Sequence, residues 1–228
     1  LADVFLSDVH LRLDQPERGR RLAQFVDSLD PADHLYIVGD LCDFWFASRE
    51  RRTEPSACPG LTSLIKFRRA GGVLTVLLGN HDAWLGPSYE LWLETRIVAE
   101  PLLVESHGRR ILLSHGHRVK GKSWWKAAME THAFLTLFEH APNFLARRLD
   151  ALLSGVNEKT RRASEDRMIA EYRISAQRVE ACDVVVFGHV HRALDDPSVQ
   201  PRLVVLGDWT EGTHFLRLDE QGLIHHSA

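Results

Sequence analysis

With 228 residues and 44% hydrophobic side chains, the chain suits one domain with a decorating insertion, or at most two small domains, around a substantial core. A formal net charge of −3 argues against a general nucleic-acid binder, and no apolar run is long enough to span a bilayer. The three cysteines, Cys42, Cys58 and Cys182, are odd in number and lack ligand spacing, so they are expected as reduced thiols of a cytoplasmic protein with no secretory signal.

Ala2 to Ser7 reads as the first strand. Pro16 to Leu29 predicts a helix, because Leu22, Phe25, Val26 and Leu29 recur at i, i+3, i+4 and i+7 with charges opposite. The run Leu35-Tyr-Ile-Val-Gly-Asp40-Leu-Cys-Asp43 is a second strand, left through a glycine that permits a sharp turn. The charged, proline-bearing stretch Arg49 to Pro59 is expected as a loop. Leu61 to Ala70 predicts a helix stopped by Gly71-Gly72, and Val73 to Leu78 a third strand. This alternation implies right-handed crossovers and a parallel sheet. Leu102 to Glu105 and Arg110 to Ser114 flank His107-Gly108 as a hairpin; Val184 to Phe187, Leu203 to Leu206 and His214 to Leu218 supply later strands. The expected class is α/β (α+β), with a mixed sheet or two packed sheets and helices outside. Residues 1–117 and 183–228 would form the core, and 118–182 a helical cap inserted between motifs, with helical pieces at Trp124 to Phe138, Phe144 to Leu153 and Glu158 to Val179.

Five strand ends deliver Asp, Asn or His: Ser7-Asp8-Val-His10, Gly39-Asp40, Gly79-Asn80-His81-Asp82, His115-Gly-His117 and Gly188-His189-Val-His191. Open α/β sheets build sites at such carboxyl ends. Read as one site, Asp8, His10 and His191 would hold one divalent ion, Asn80, His115 and His189 a second, and Asp40 would touch both. A hydrolytic pair of ions sits about 3.5–4 Å apart and needs such a shared carboxylate. Imidazole with carboxylate suits Mn, Fe, Zn or Co better than Ca. His189 and His191 would share a face of an extended strand, so a turn is expected between them. Other readings stay open. Asp43 and Asp82 also suit caps or turns, His117 suits the site's lining or solvent, and His225 and His226 suit the surface.

In this order, the motifs Asp-x-His, Gly-Asp-x-x-Asp, Gly-Asn-His-Asp, His-Gly and Gly-His-x-His resemble the calcineurin-like metallophosphoesterase superfamily. The resemblance implies a layered α/β/β/α sandwich. It also implies a metal-bridging hydroxide as nucleophile and His81, assisted by Asp82, stabilising the transition state or protonating the leaving group. Gly39-Asp40-Leu41 with Trp45, the cap after His115-Gly116, and Val205-Leu-Gly-Asp-Trp-Thr-Glu-Gly212 further resemble the UDP-2,3-diacylglucosamine pyrophosphohydrolase family of lipid A synthesis. That resemblance implies a nucleotide-linked glycolipid cleaved to UMP and 2,3-diacylglucosamine 1-phosphate, usually with Mn. It places the protein in the cytoplasm, peripheral on the membrane's inner face, with no nucleic acid and no obligate protein partner. Lys122, Trp125, Asn157 and Lys159 would then contact substrate, although Trp125 also suits ordinary core packing and Lys122 a solvated basic face. The chain departs from this family at His81, where Arg is typical, and at His117, where Asp is typical. A cyclic-nucleotide or general phosphodiesterase, or a metal-bearing scaffold, are the competing functions.

Overall fold

The computed structural model describes residues 1–12, 15–43, 58–82, 87–119, 158–210 and 212–227. Among them, one sheet runs β11(Gly222–Ser227), β10(His214–Asp219), β1(Asp3–Leu6), β2(His34–Val38), β3(Val73–Leu77), β4(Arg96–Val98). β1 to β4 are parallel, and β10 pairs antiparallel with β1, placing Phe5 opposite Leu216. The second sheet runs β5(Leu102–Ser106), β6(Arg109–Ser114), β7(Val184–Phe187), β9(Arg202–Val205), β8(Leu194–Asp196). Its three central strands are parallel and both edges antiparallel.

Side-chain alternation explains the layering. Phe5, Tyr36, Val38 and Leu77 of the first sheet meet Ile111, Leu113, Val184, Val186 and Val204 of the second in one buried cluster. The intervening residues Val4, Leu6, Leu35 and Ile37 point the other way, against α1(Pro16–Asp27) and α2(Pro59–Arg69). Behind the second sheet, Ile169, Tyr172 and Ala176 of α4(Glu158–Gln177) cover Val185, Phe187, Leu203 and Val205. The result is the expected α/β/β/α order.

Both α1 and α2 open on a proline in the first turn, where the missing N–H costs nothing. Pro59 is therefore a helix residue and not the end of a loop; residues 49–57 lie outside the described residues. The helices cross closely because Gly19 and Gly60 meet there; a Cβ on Gly60 would come 3.1 Å from the Gly19 carbonyl. Three short or edge elements carry no clear period in the sequence: α3(Pro87–Leu93), β4 and β8. β11 was also unforeseen. It half-buries His225, whose Nε2 lies 3.3 Å from the Leu206 carbonyl, so the surface expectation for His225 is corrected; His226 is exposed and stacks on Phe215. The three cysteines are free, as expected. The helical piece expected at Glu158 to Val179 is α4, which packs on the second sheet, while residues 120–157 of the expected cap lie outside the described residues. No helix among the described residues is long and apolar enough to cross a membrane.

Candidate metal centre

Every motif histidine and aspartate lies at the carboxyl end of a parallel strand, where the two sheets open. The β1–β2 pairing continues past the strands through Asp8 N–H to Gly39 O (3.1 Å) and His10 N–H to Asp40 O (3.0 Å). These turns are strained. Asp8, His10, Asp40 and His189 all have φ between 50° and 65°. Each such non-glycine conformation costs on the order of 1–3 kcal/mol and persists where the surroundings over-determine it. The turn expected between His189 and His191 is thus observed at His189. Gly39 and Gly79 let the loops converge, since a Cβ on Gly79 would overlap Asp40 Oδ1.

The side chains gather as the spacing argument requires. One ligand atom each from Asp8, His10 and His191 lie within 4.8 Å of one another, and so do those of Asp40, His115 and His189. Asp40 Oδ2 stands between the two groups, 3.9 Å from His10 Nε2 and 3.2 Å from His115 Nε2. Its other oxygen is held by the His81 N–H at 2.8 Å. Asn80 Oδ1 is 3.3 Å from His115 Nε2, which brings it into the second group. His10, Asp40 and His81 form a third overlapping group.

This donor set fits divalent cations. Asp8 Oδ1 and both ring nitrogens of His10 are buried with no hydrogen-bond partner, which an all-protein site would not tolerate. Burial, with the His81 charge next, pushes the His10 ring down to about 3, so it stays neutral and able to ligate. At Asp40, burial would raise the carboxyl, but His115 and His81 draw it well below the usual range. Burial also opposes charge on His115, yet Asp40 lifts it to about 10. Two ligands are oriented from behind. His115 Nδ1 lies 3.0 Å from the Val38 carbonyl, and His191 Nδ1 lies 3.1 Å from Asp208 Oδ2, leaving each Nε2 facing the centre.

The expected partnership of His81 with Asp82 is not what the geometry gives. Asp82 is fully buried, and its two oxygens accept the Leu41 and Gly79 N–H groups, each at 2.7 Å. It braces the β2 and β3 exits against each other. Burial, reinforced by the Asp40 charge, raises its carboxyl to about 7. Asp43 is the residue against His81: its Oδ1 lies 2.9 Å from His81 Nδ1, and its Oδ2 takes a 3.0 Å hydrogen bond from Arg12. Burial works against charge on His81, but Asp40 and Asp43 raise it to about 9, keeping it cationic.

Sequence reasoning also missed Asp208 and Glu100. Asp208 follows β9 as Leu206-Gly207-Asp208, the same strand–glycine–aspartate grammar as Asp40, so its signal was present. Glu100 had no local signal. It accepts the Ser114 hydroxyl (2.8 Å) and Gly116 N–H (3.0 Å), and lies 3.0 Å from His117 Nδ1, pinning the loop that carries His115. His117 is thereby turned toward the site, with its ring centroid 5.4 Å from that of His115. Lys122, Trp125 and Asn157 lie outside the described residues; Lys159 is in α4, its side chain likewise outside them.

A family model described as calcineurin-like phosphoesterase matches residues 4–193. A UDP-2,3-diacylglucosamine hydrolase of Stenotrophomonas maltophilia is 30% identical, covering 97% of this chain and 96% of its own. The enzyme of that name from Aeromonas hydrophila is 28% identical over 100% of this chain and 99% of its own, and that from Hahella chejuensis 26% over 96% and 94%. Among solved structures, a novel archaeal phosphodiesterase is 15% identical with a TM-score of 0.47, covering 100% of both chains.

Proposed function

Because the chain belongs to the calcineurin-like phosphoesterase family, we propose that it is a two-metal hydrolase of UDP-2,3-diacylglucosamine, releasing UMP and 2,3-diacylglucosamine 1-phosphate. The observation that carries the chemistry is Asp40 Oδ2 standing between His10 Nε2 and His115 Nε2. The substrate is inferred from the names of relatives that align over nearly the whole chain.

In this reading Asp8, His10, His191 and Asp40 hold one ion, and Asp40, Asn80, His115 and His189 the other, with Mn as the expected metal. When bound, such a pair activates water and neutralises charge developing on phosphoryl oxygens. The chain's own residues do the rest. Strand-end turns fix the ligands before substrate arrives. Asp208 and the Val38 carbonyl set which ring nitrogen of His191 and His115 faces inward. Asp43 keeps His81 protonated and aimed, so its cation can stabilise the transition state or give a proton to the departing phosphate oxygen. Lys122, Trp125, Asn157 and Lys159 are assigned to the sugar-lipid half, and the protein to the cytoplasmic membrane surface.

The test is release of UMP from the diacylated substrate by purified protein with Mn. Release that needs the metal supports the reading; no release at any Mn concentration overturns it. A second reading, a general or cyclic-nucleotide phosphodiesterase, is favoured by one observation: histidine at position 81, where the diacylglucosamine family typically has arginine. A panel of cyclic nucleotides and aryl phosphodiesters separates the two.

A further inference from the structure

Helix α1 begins at the site end of the first sheet, because β1, the strand before it, ends there. Two arginines in its first two turns, Arg18 and Arg21, reach the strand-end loops. Arg18, in the first turn, works against the helix dipole, so contacts outside the helix must offset that cost. Those contacts are with backbone carbonyls. Arg18 Nη1 donates to the His10 carbonyl at 3.1 Å. Arg21 Nη1 donates to the carbonyls of Trp209 (2.7 Å), Thr210 (3.2 Å) and Gly212 (3.3 Å). Both arginines are half-buried.

Followed outward, these contacts reach each of Asp8, His10 and His191, the group whose ligand atoms converge on one side of Asp40. His10 is held by Arg18 directly. The Trp209 N–H donates to the Asp8 carbonyl at 3.2 Å. The Thr210 hydroxyl donates to Asp208 Oδ2 at 2.6 Å, and that oxygen lies 3.1 Å from His191 Nδ1. The Trp209 ring is buried edge-on to Phe25 of α1, with centroids 5.2 Å apart, which seats the same loop on the same helix. Among the described residues, neither arginine bonds to Asn80, His115 or His189.

We propose that Arg18 and Arg21 are positioning residues for the ion at Asp8, His10 and His191, setting its affinity through the carbonyls they gather and leaving the other ion's affinity alone. The inference rests on the two-metal reading above and adds which part of the fold controls which ion. Coulomb's law supplies a sign that separates positioning from charge alone. A guanidinium near a cation repels it, so removing a bystander arginine tightens both ions. Removing a positioning arginine loosens one of them, because the loops that aim its ligands lose the donor that gathers their carbonyls.

The experiment titrates Mn into the full-length metal-free protein by calorimetry, with the melting transition of each variant checked. The unaltered protein should take up two ions. Arg21→Ala should weaken one of them about tenfold, the lower end of what partners behind a metal ligand carry, and leave the other unchanged. Arg18→Ala should weaken the same ion. Arg21→Lys, which keeps a cation able to donate to carbonyls, should restore most of the loss. In an Asp208→Asn background Arg21→Ala should cost less than it does alone, since part of its effect passes through Asp208. If Arg21→Ala does not fold, Arg18→Ala decides by the same criteria. Folded variants with both ions tighter, both unchanged or both weakened equally overturn the proposal and leave the two-metal reading standing. Unaltered protein that takes up a single ion overturns that reading. If that ion still weakens in the arginine variants the positioning role is supported, and if it does not, both fall.

Discussion

Asp43 Oδ1 lies 2.9 Å from His81 Nδ1, while the residue next to His81 in sequence, Asp82, spends both its oxygens on backbone N–H groups. The two aspartates therefore have separable roles, and substitution tells them apart. His81→Ala is expected to lower kcat by about 10²–10⁴, the usual worth of a positioned acid or base. Asp43→Asn should lower kcat with little change in KM, and the double variant should lose little beyond the His81 single. There is also a pH signature. Asp43 helps hold His81 at about 9, so removing its charge lowers that pKa and moves the alkaline limb of kcat/KM to lower pH.

Asp82→Asn places an amide NH₂ against a backbone N–H that now donates to a carboxylate oxygen. Leaving such a buried donor unsatisfied costs about 1–3 kcal/mol. The expected outcome is a lower denaturant midpoint, with kcat per folded, metal-loaded molecule closer to wild type than in Asp43→Asn.

Asp208→Asn removes the carboxylate behind His191 Nδ1. Partners of this kind typically carry about 10–100-fold in metal affinity. A metal titration should show one of the two ions weakened by that amount, with the melting temperature of the metal-free protein little changed.

Glu100 provides a pH test of stability. Burial opposes its charge, but His117, the Gly116 N–H and the Ser114 hydroxyl bring it down to about 2 from an ordinary 4.5. A depressed acid stabilises the fold above its unfolded pKa, and that contribution fades as pH falls from 4.5 through about 2. Glu100→Gln should thus be less stable than wild type at pH 7, by about 1.5–3 kcal/mol for hydrogen bonds to a charged group. In urea melts the gap should narrow as pH drops from 5 toward 3.

The sequence carried the strand ends clearly, because an apolar run, a glycine and then an aspartate or asparagine is a local pattern with a local cause. Gly39-Asp40 and Gly79-Asn80 were readable on that ground, and so was the alternating strand–helix order up to Leu77. Gly207-Asp208 obeys the same rule, yet its role depends on His191 arriving from another strand, which no local pattern encodes. Glu100 shows the limit more sharply. It sits between β4 and β5, and its three contacts belong to a loop fourteen to seventeen residues on. Asp43 shows the same limit: its contact with His81 joins the loops after β2 and β3, and nothing local in the sequence marks it, whereas Asp82 adjoins His81 along the chain and contacts backbone N–H groups instead. The strands β4 and β8, at three residues each, are too short to show a period, and tertiary pairing alone makes them strands.

The central claim is that a single carboxylate, Asp40, serves two cations. Anomalous diffraction at the manganese edge from crystals of Mn-loaded protein tests it most directly. Two peaks about 3.5–4 Å apart, both in contact with Asp40 Oδ2, are the expected result. A single peak, or two peaks of which Asp40 touches only one, would contradict it.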